Sequence, residues 1–262
     1  MLDLQASQLL PGPGGIQVAG EFFARALRPA MTYESSVPAG TLPLLLKALE
    51  AAWRTVTFAA AAMGIAIVGG IVLGFLASSS LWLAGPARGR GILARSLRRL
   101  FAIGIHGATR VFVTLIRSIH ELLWAVLFLA AFGVSSLAAV VALALPCAGI
   151  LAKIFSELID EAPRGASAAV AGASGTALQT YCFVLLPQVL PDIVAYSFYR
   201  FECALRSSAV LGFFGYPTLV FFISASFENL HYGEVWTYLY VLFALVAAVD
   251  WWSGALRRRL LP

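Results

Sequence analysis

The sequence predicts an all-α integral membrane protein with five transmembrane helices, six being the alternative. Of its 262 residues, 60% are hydrophobic and only 12% are charged, whereas soluble domains carry about a quarter charged residues. The apolar stretches follow one another without room for a soluble domain, so we expect one transmembrane domain at residues 55–256. The net charge of +5 comes largely from arginines between these stretches and at the C-terminus, where they would contact anionic membrane lipids.

Composition and motif content exclude several classes of function. The sequence has no basic face interleaved with aromatic residues, so nucleic-acid binding is not expected. It has no nucleophile elbow, no H-E-x-x-H and no Gly-x-x-x-x-Gly-Lys-Ser/Thr, so we predict neither an enzyme nor a cofactor or metal site in this chain. The three cysteines, Cys147, Cys182 and Cys203, form no C-x-x-C pair and are predicted to be buried free thiols.

Residues 1–54 are predicted to precede the first crossing. Residues 1–40 contain several prolines and glycines and no apolar run near the ~18 residues that a crossing needs. The first ten residues lack the basic and apolar regions of a cleaved signal peptide. A short amphipathic stretch could lie on the membrane surface; its apolar residues are Phe22, Phe23, Ala26 and Leu27.

The first crossing is predicted at residues 55–77, which carry no charge and suffice to cross a hydrocarbon core of ~30 Å. Residues 42–53 are apolar but include Lys47 and Glu50, so we interpret them as an interfacial lead-in. As a separate helix they would supply the sixth crossing. Residues 78–100 hold five arginines and no acidic residue, which places them in the cytoplasm. These are Arg88, Arg90, Arg95, Arg98 and Arg99.

Residues 101–132 are too long for one upright crossing and too short for two, so we expect an elbow or a long tilted helix that breaks near Ser118. Arg117 and Glu121 are four residues apart and therefore predicted on one helical face. Charges there must face protein or a water-filled path, because burial in lipid is costly.

Residues 135–155 are predicted to form the next crossing, kinked at Pro146, with Lys153 at its cytoplasmic end. A segment rich in Ala, Gly and Ser follows at residues 157–191, with the composition of a compact helical pair. Pro187 and Pro191 are expected to close this segment, because proline discourages a helix from running straight through.

The next apolar run, residues 188–222, carries three charges near its middle: Arg200, Glu202 and Arg206. Glu202 and Arg206 have the spacing of a helical ion pair. One interpretation is that ion pairs within or between helices hold the bundle together. The other is that the two arginines create positive potential along the path of a small oxyanion, with Glu202 holding one guanidinium in place.

The remaining sequence predicts a bend and one last crossing. Gly212, Gly215 and Pro217 indicate a bend or reversal. The short loop that contains Glu228, His231 and Glu234 is interpreted as solvated and not as a metal site. Residues 235–252 form the last crossing, and the arginines at residues 257–259 keep the tail, residues 257–262, in the cytoplasm. Five crossings place the N-terminus outside, and a sixth would return it to the cytoplasm.

The small-residue segment begins with Ala-rich residues, passes a glycine and ends in Leu-Pro. It resembles the EAA coupling loop in permease subunits of bacterial binding-protein-dependent ABC importers. The sequence LPQVLP at residues 186–191, with YRFE at 199–202, LRS at 205–207 and VLG at 210–212, looks like the phosphonate-transporter branch. The resemblance covers roughly residues 117–222.

The resemblance places the ATPase-coupling contact in residues 157–187. Counting back from Pro187 with the family's spacing puts the usual glutamate on Ala168 and the usual glycine on Ser174. Ala169, Gly172 and Gly175 complete the candidate contact. The absent glutamate indicates a weaker contact and is consistent with a better-conserved sister permease.

The resemblance further implies the fold of a type I ABC importer permease (MetI-like) in the bacterial inner membrane. Its partners would be a cytoplasmic ATPase subunit that binds ATP and Mg, a second permease subunit, either a second copy or a sister, and an extracytoplasmic solute-binding protein. The substrate would be a phosphonate or a related phosphorus oxyanion such as phosphite. The candidate substrate path comprises Arg117, Arg200, Glu202 and Arg206.

Other classes of function remain open on the residues alone. One is an ABC importer for another small solute. A channel or ion-driven carrier would use the membrane charges for conduction or proton relay, but it leaves the coupling loop unexplained. An integral membrane enzyme would need a clustered acid, base or metal set near one interface, and none is visible.

Overall fold

The computed structural model describes residues 12–36, 38, 40–79, 92–173, 175–207 and 209–260. Within these residues the chain is helical and contains no strand. The helices are α1 (Pro13–Ala26), α2 (Leu44–Ala77), α3 (Ile92–Ser118), α4 (Glu121–Phe132), α5 (Ser136–Glu161), α6 (Gly165–Gly172), α7 (Ala177–Thr180), α8 (Leu186–Ser207), α9 (Ala209–Phe213), α10 (Leu219–Glu228) and α11 (Tyr232–Leu260).

Five helical stretches of the described chain are long and apolar enough to cross a membrane, which confirms the predicted number. They are Leu44–Ala77, Leu100–Ser118, Ser136–Glu161, Leu178–Gly212 and Tyr232–Arg259. Of the predicted cytoplasmic arginines, Arg88 and Arg90 lie outside the described residues, as do the side chains of Arg95, Arg98 and Arg99.

The first crossing begins at Leu44 and not at residue 55, so residues 42–53 do not supply a sixth crossing. The charges that argued against a helix there have local partners. Glu50 pairs with Arg54 at 2.8 Å one turn later, and the Lys47 ammonium lies 4.7 Å from the centre of the Phe222 ring. A helix of 34 residues is about 51 Å long, which exceeds the ~30 Å of a hydrocarbon core.

The predicted break near Ser118 is confirmed. Helix α3 ends there, and His120 starts α4 in an extended conformation with its Nδ1 accepting a 3.1 Å hydrogen bond from the Leu122 N–H. Because the helix is interrupted between them, Arg117 and Glu121 do not share one helical face, and that prediction is wrong.

The core of the bundle is the parallel pair α2 and α5. A Cβ on Gly70 would lie 2.7 Å from the Leu151 Cβ, and one on Gly74 would lie 3.1 Å from the Phe155 Cβ. Leu151 and Phe155 are both fully buried. Close approach of the two backbones at small residues is what holds helices together in a membrane.

The chain from Ala177 to Ser207 is helical throughout, so Pro187 and Pro191 do not end a helix as predicted. A wide turn, Tyr181–Leu185, joins α7 to α8, and the Leu186 N–H bonds to the Tyr181 carbonyl. A widened turn relieves the proline at 187, which has no N–H and would crowd a carbonyl of a regular α-helix. Pro191 lies inside α8.

The cysteines are free, as predicted, but they differ in burial. Cys147 is buried in the core, Cys203 is half-buried and Cys182 is exposed. The prediction of burial is therefore wrong for Cys182. Tyr181, one residue earlier, takes the buried position, and one helical step turns the next side chain away from the core.

The predicted reversal after α8 is confirmed. Helix α9 ends at Phe213, Gly215 has φ +84°, and α10 begins at Leu219. A Cβ on Gly212 would lie 2.6 Å from the Phe221 N, so α9 and α10 approach closely at this glycine. Without a Cβ, glycine permits both the positive φ and the close approach.

The prediction that Glu234 is solvated is wrong. Glu234 lies in the first turn of α11 with 5% of its surface exposed. Its carboxylate accepts hydrogen bonds from the Glu34 N–H at 2.7 Å and from the Ser226 hydroxyl at 3.1 Å. Glu234 thereby attaches the segment after α1 to the start of α11. Among the described residues, no three His, Cys, Asp or Glu side chains converge to hold a metal.

Helix α1 also packs on the start of α11. The Trp236 Nε1–H donates to the Phe22 carbonyl at 2.7 Å, and the Tyr240 hydroxyl donates to the Ala26 carbonyl at 2.8 Å. Phe23 of α1 and Leu27, the residue that follows α1, are 64% and 90% exposed. Contact of this stretch with the membrane surface stays a prediction.

Gly70→Val should lower the free energy of unfolding by about 1–3 kcal/mol, because the added methyl groups overpack the contact with α5. Thermal unfolding in detergent would measure it. Gly64→Val is the matched control, since a Cβ there meets nothing within 4 Å. Equal stability of the two variants would contradict the α2–α5 packing.

Candidate functional site

The predicted coupling segment forms a helical pair at the C-terminal end of α5, as its composition indicated. Helix α5 continues to Glu161, a short turn follows, and α6 carries Ala168 and Ala169 on its exposed side. Ser174 lies outside the described residues. Helix α6 is thus a short exposed element attached directly to a crossing helix.

The turn after α6 depends on Gly175. Its N–H donates to the Val170 carbonyl at 2.9 Å, and a Cβ at this position would lie 2.5 Å from the Val170 Cγ1. A residue with a side chain would therefore push α6 away from α7. Gly172, the other candidate glycine of the segment, is the last residue of α6.

A cluster around Asp160, in the last turn of α5, joins three helices at the start of the coupling segment. Asp160 accepts hydrogen bonds from the Ser78 hydroxyl at 2.6 Å and from the N–H and hydroxyl of Ser79 at 3.1 and 2.8 Å. Arg110 of α3 pairs with Asp160 at 3.6 Å and donates to the Ala77 carbonyl at 3.2 Å. Sequence reasoning did not select Asp160. The available signals in the sequence were an acid within the coupling segment and a serine pair directly after an apolar stretch.

Glu202 pairs with Arg257 of α11 and not with Arg206, as the spacing had suggested. The Oε1 to Nη2 distance is 3.3 Å, and the two side chains are 12% and 32% exposed. The Glu202 side chain faces the neighbouring helix, whereas Arg206 is exposed at the end of α8. The interpretation of an ion pair between helices is therefore correct for Glu202. Among the described residues, Glu202 pairs with neither Arg200 nor Arg206.

Arg200 is the half-buried cation of α8. Its Nη2 lies 3.9 Å from the Cys147 Sγ, while its buried Nε has no hydrogen-bond partner among the residues that the structure describes. No described acidic side chain forms an ion pair with it. A buried cation without an anion is costly, which makes Arg200 a candidate to bind an anionic ligand.

Arg117 lies apart from these residues, exposed at the end of α3. Its backbone N would be 3.4 Å from a Cβ on Gly149 of α5, one turn from the ion pair of Lys153 with Glu157. No hydrogen bond or ion pair in the described part of the chain joins it to Arg200, Glu202 or Arg206. The predicted path residues thus do not form a single cluster.

Comparison with known proteins identifies the family. Residues 70–262 match the family model of the binding-protein-dependent transport system inner membrane component. The chain belongs to this family. It is therefore a component of a transport system in the inner membrane, in agreement with the predicted localisation.

Two curated relatives are similar to this member of the family. The phosphite transport system permease protein PtxC of Stutzerimonas stutzeri is 34% identical over 59% of this chain and 56% of its own length. The phosphate-import permease protein PhnE of Mycolicibacterium smegmatis is 31% identical over 60% of this chain and 29% of its own length. The chain thus spans about half or less of the length of these relatives.

Solved structures confirm the predicted fold of an ABC importer permease. The MetNI methionine ABC transporter in an inward-facing conformation has a TM-score of 0.66 at 20% identity, covering 85% of this chain and all of that one. An amino acid ABC transporter has a TM-score of 0.60 at 19% identity, covering 82% and 94% of the two chains.

Glu202→Gln should destabilise the chain by about 3 kcal/mol, because it leaves the Arg257 guanidinium partly buried without its carboxylate. Thermal unfolding in detergent would measure the loss. The double variant Glu202→Arg with Arg257→Glu should recover part of it. Arg206→Gln is the control and should leave stability unchanged. A loss with Arg206→Gln and none with Glu202→Gln would restore the pairing within α8.

Proposed function

We propose that this chain is the permease subunit of an ABC importer that carries a phosphonate or a related small phosphorus oxyanion such as phosphite. The observation that carries the proposal is the exposed helix α6 at the inner end of α5, a docking element in a family of transport components. The names of the two curated relatives, for phosphite transport and phosphate import, support the substrate class.

The ATPase would be a separate cytoplasmic subunit that binds ATP and Mg. The exposed Ala168 and Ala169 leave space for a cleft of that subunit to approach the α6 backbone. Closure of two ATPase subunits would displace two α6 helices, one on each permease, and switch the pair between outward and inward openings. Since Ala168 stands where the family usually has a glutamate, a sister permease with the usual residue is a suitable second subunit.

Arg200 supports an anionic substrate. A phosphorus oxyanion has several oxygens that accept charge-assisted hydrogen bonds from a guanidinium, and the Arg200 Nε has no partner in the described chain. Arg206 is a second cation on α8 and, unlike Arg200, is exposed. Glu202, neutralised by Arg257, acts as a structural residue, and Arg117 would be a separate cation nearer the inner side.

A solute-binding protein would deliver the substrate to the end of the bundle opposite α6. This end contains the first turns of α2 and α11, held together by Leu44, Ala48 and Tyr238. An importer for another small solute is the second candidate, because the fold is shared with a methionine transporter. A channel or carrier without an ATPase gives no role to α6.

Co-expression of the tagged chain with its neighbouring genes tests the function. We expect an ATPase and a second permease to copurify, and phosphite or a phosphonate to stimulate ATP hydrolysis in proteoliposomes that contain the solute-binding protein. Phosphate and sulfate serve as competing anions. A chain that purifies without any ATPase would contradict the proposal and favour a carrier or channel.

Ala169→Trp tests the coupling contact directly, and Ala131→Trp is its matched control. A bulky ring on the exposed side of α6 should detach the ATPase, while Ala131→Trp, on the exposed surface of α4, should leave the complex intact. Retention of ATPase and stimulation by Ala169→Trp would show that α6 is not the coupling contact.

Arg200→Ala should lower transport at limiting substrate by about tenfold or more, because it removes a charge-assisted hydrogen bond to the anion. Assembly and thermal stability should be retained, since no described acid loses a partner. Uptake of labelled phosphite in proteoliposomes is the measurement, with Arg200→Lys expected to recover part of the rate. Normal uptake at normal yield would exclude Arg200 from the path.

A further inference from the structure

Both ends of the coupling segment are attached to the last two turns of α2. At the entering end, Asp160 holds Ser78 and Ser79 directly after α2. At the leaving end, the Tyr181 hydroxyl donates to the Ile71 carbonyl at 3.2 Å, and its ring lies 4.6 Å from the Phe75 ring. A displacement of α6 must therefore pass through contacts with the inner end of α2.

A short turn, closed by a hydrogen bond, connects Asp160 to the start of α6. Arg164, one residue before α6, donates from its Nη2 to the Asp160 carbonyl at 2.6 Å. Ala162, between them, is 6% exposed. An arginine that bonds the last carbonyls of a helix satisfies groups that have no partner within the helix. The turn between α5 and α6 is thus fixed by the hydrogen bond of Arg164 and by the burial of Ala162.

Asp160 adds a connection that apolar packing does not provide. The α2–α5 pair is already fixed laterally by Gly70 and Gly74 against α5. The carboxylate additionally binds Arg110, which brings in α3 and the Ala77 carbonyl at the end of α2. With its side chain 19% exposed, Asp160 makes these hydrogen bonds largely shielded from water, where they are stronger.

We propose that Asp160 is a positioning residue that transmits the displacement of α6 to α2 and α3, so that the inner ends of the three helices move as one unit. The inference rests on the proposed function, since it takes α6 as the site of ATPase contact. Loss of the carboxylate would let α6 and α5 move while α2 and α3 stay behind. ATP would then be hydrolysed with little transport.

Asp160→Asn in the full complex tests this. The amide keeps the size of the side chain and one acceptor for the serines, but it loses the charge that binds Arg110. In proteoliposomes with the solute-binding protein and phosphite, we expect complex yield and basal ATPase activity to be retained. The number of anions transported per ATP hydrolysed should fall about tenfold, and Asp160→Glu should recover part of it.

Glu50→Gln is the matched control, near the start of α2, where the acid pairs with Arg54 of the same helix. It should leave the transport-to-ATP ratio unchanged. An unchanged ratio in Asp160→Asn, or an equal fall in both variants, would overturn the inference. If Asp160→Asn fails to assemble, the double variant Ser78→Ala with Ser79→Ala decides: a lowered ratio supports the transmission role and a normal ratio overturns it.

The wild-type complex separates this inference from the proposed function. If no ATPase copurifies, or if no tested anion stimulates ATP hydrolysis, the proposed function itself is contradicted. If the wild-type and Asp160→Asn complexes transport equal numbers of anions per ATP hydrolysed, only the role of Asp160 is contradicted.

Discussion

The close parallel packing of α2 against α5 is the contact on which the other positions depend. Lipid chains are as apolar as leucine, so burial of apolar area does not by itself bring helices together in a membrane. Small residues allow this approach, with Gly70 and Gly74 facing Leu151 and Phe155. Because the two helices are parallel and in register, their C-terminal ends meet, and Asp160 reaches the serines after α2. The same register places Ala62 near Leu143, toward the N-terminal ends of the two helices.

The cost of charge in a membrane organises the remaining contacts. Arg110 with Asp160, Lys153 with Glu157 and Arg257 with Glu202 are matched pairs of opposite sign. Each pair links neighbouring turns or neighbouring helices, so the charges also fix the relative positions of those turns and helices. Arg200 differs from them, because its guanidinium meets a thiol sulfur and no described carboxylate. The proposed contact of Arg200 with an anion therefore lies where the pairing of charges is incomplete among the described residues.

Hydropathy, composition and local spacing predicted the number of crossings, the break near Ser118 and the helical character of the coupling segment, since all three depend on residues close in sequence. They failed where a distant residue decides the outcome. Glu202 finds Arg257 and not the nearer Arg206, and Lys47 is accommodated in α2 by the ring of Phe222. Asp160 was overlooked for the same reason, because its serines follow α2 and lie 82 and 81 residues earlier in the chain. Pro191 shows that a single helix-breaking residue is outweighed when neighbouring turns stay bonded.

The wide turn at Tyr181–Leu185 changes the rotational alignment of α7 relative to α8. Such a turn takes one more residue than a regular α-helical turn, and one residue corresponds to a rotation of about 100°. The direction in which α7 presents its side chains is therefore set independently of the face that α8 turns toward the core. Loss of one residue here would realign the two faces and confront Pro187 with a regular helix. Length at this point of the chain is consequently as strongly constrained as residue identity.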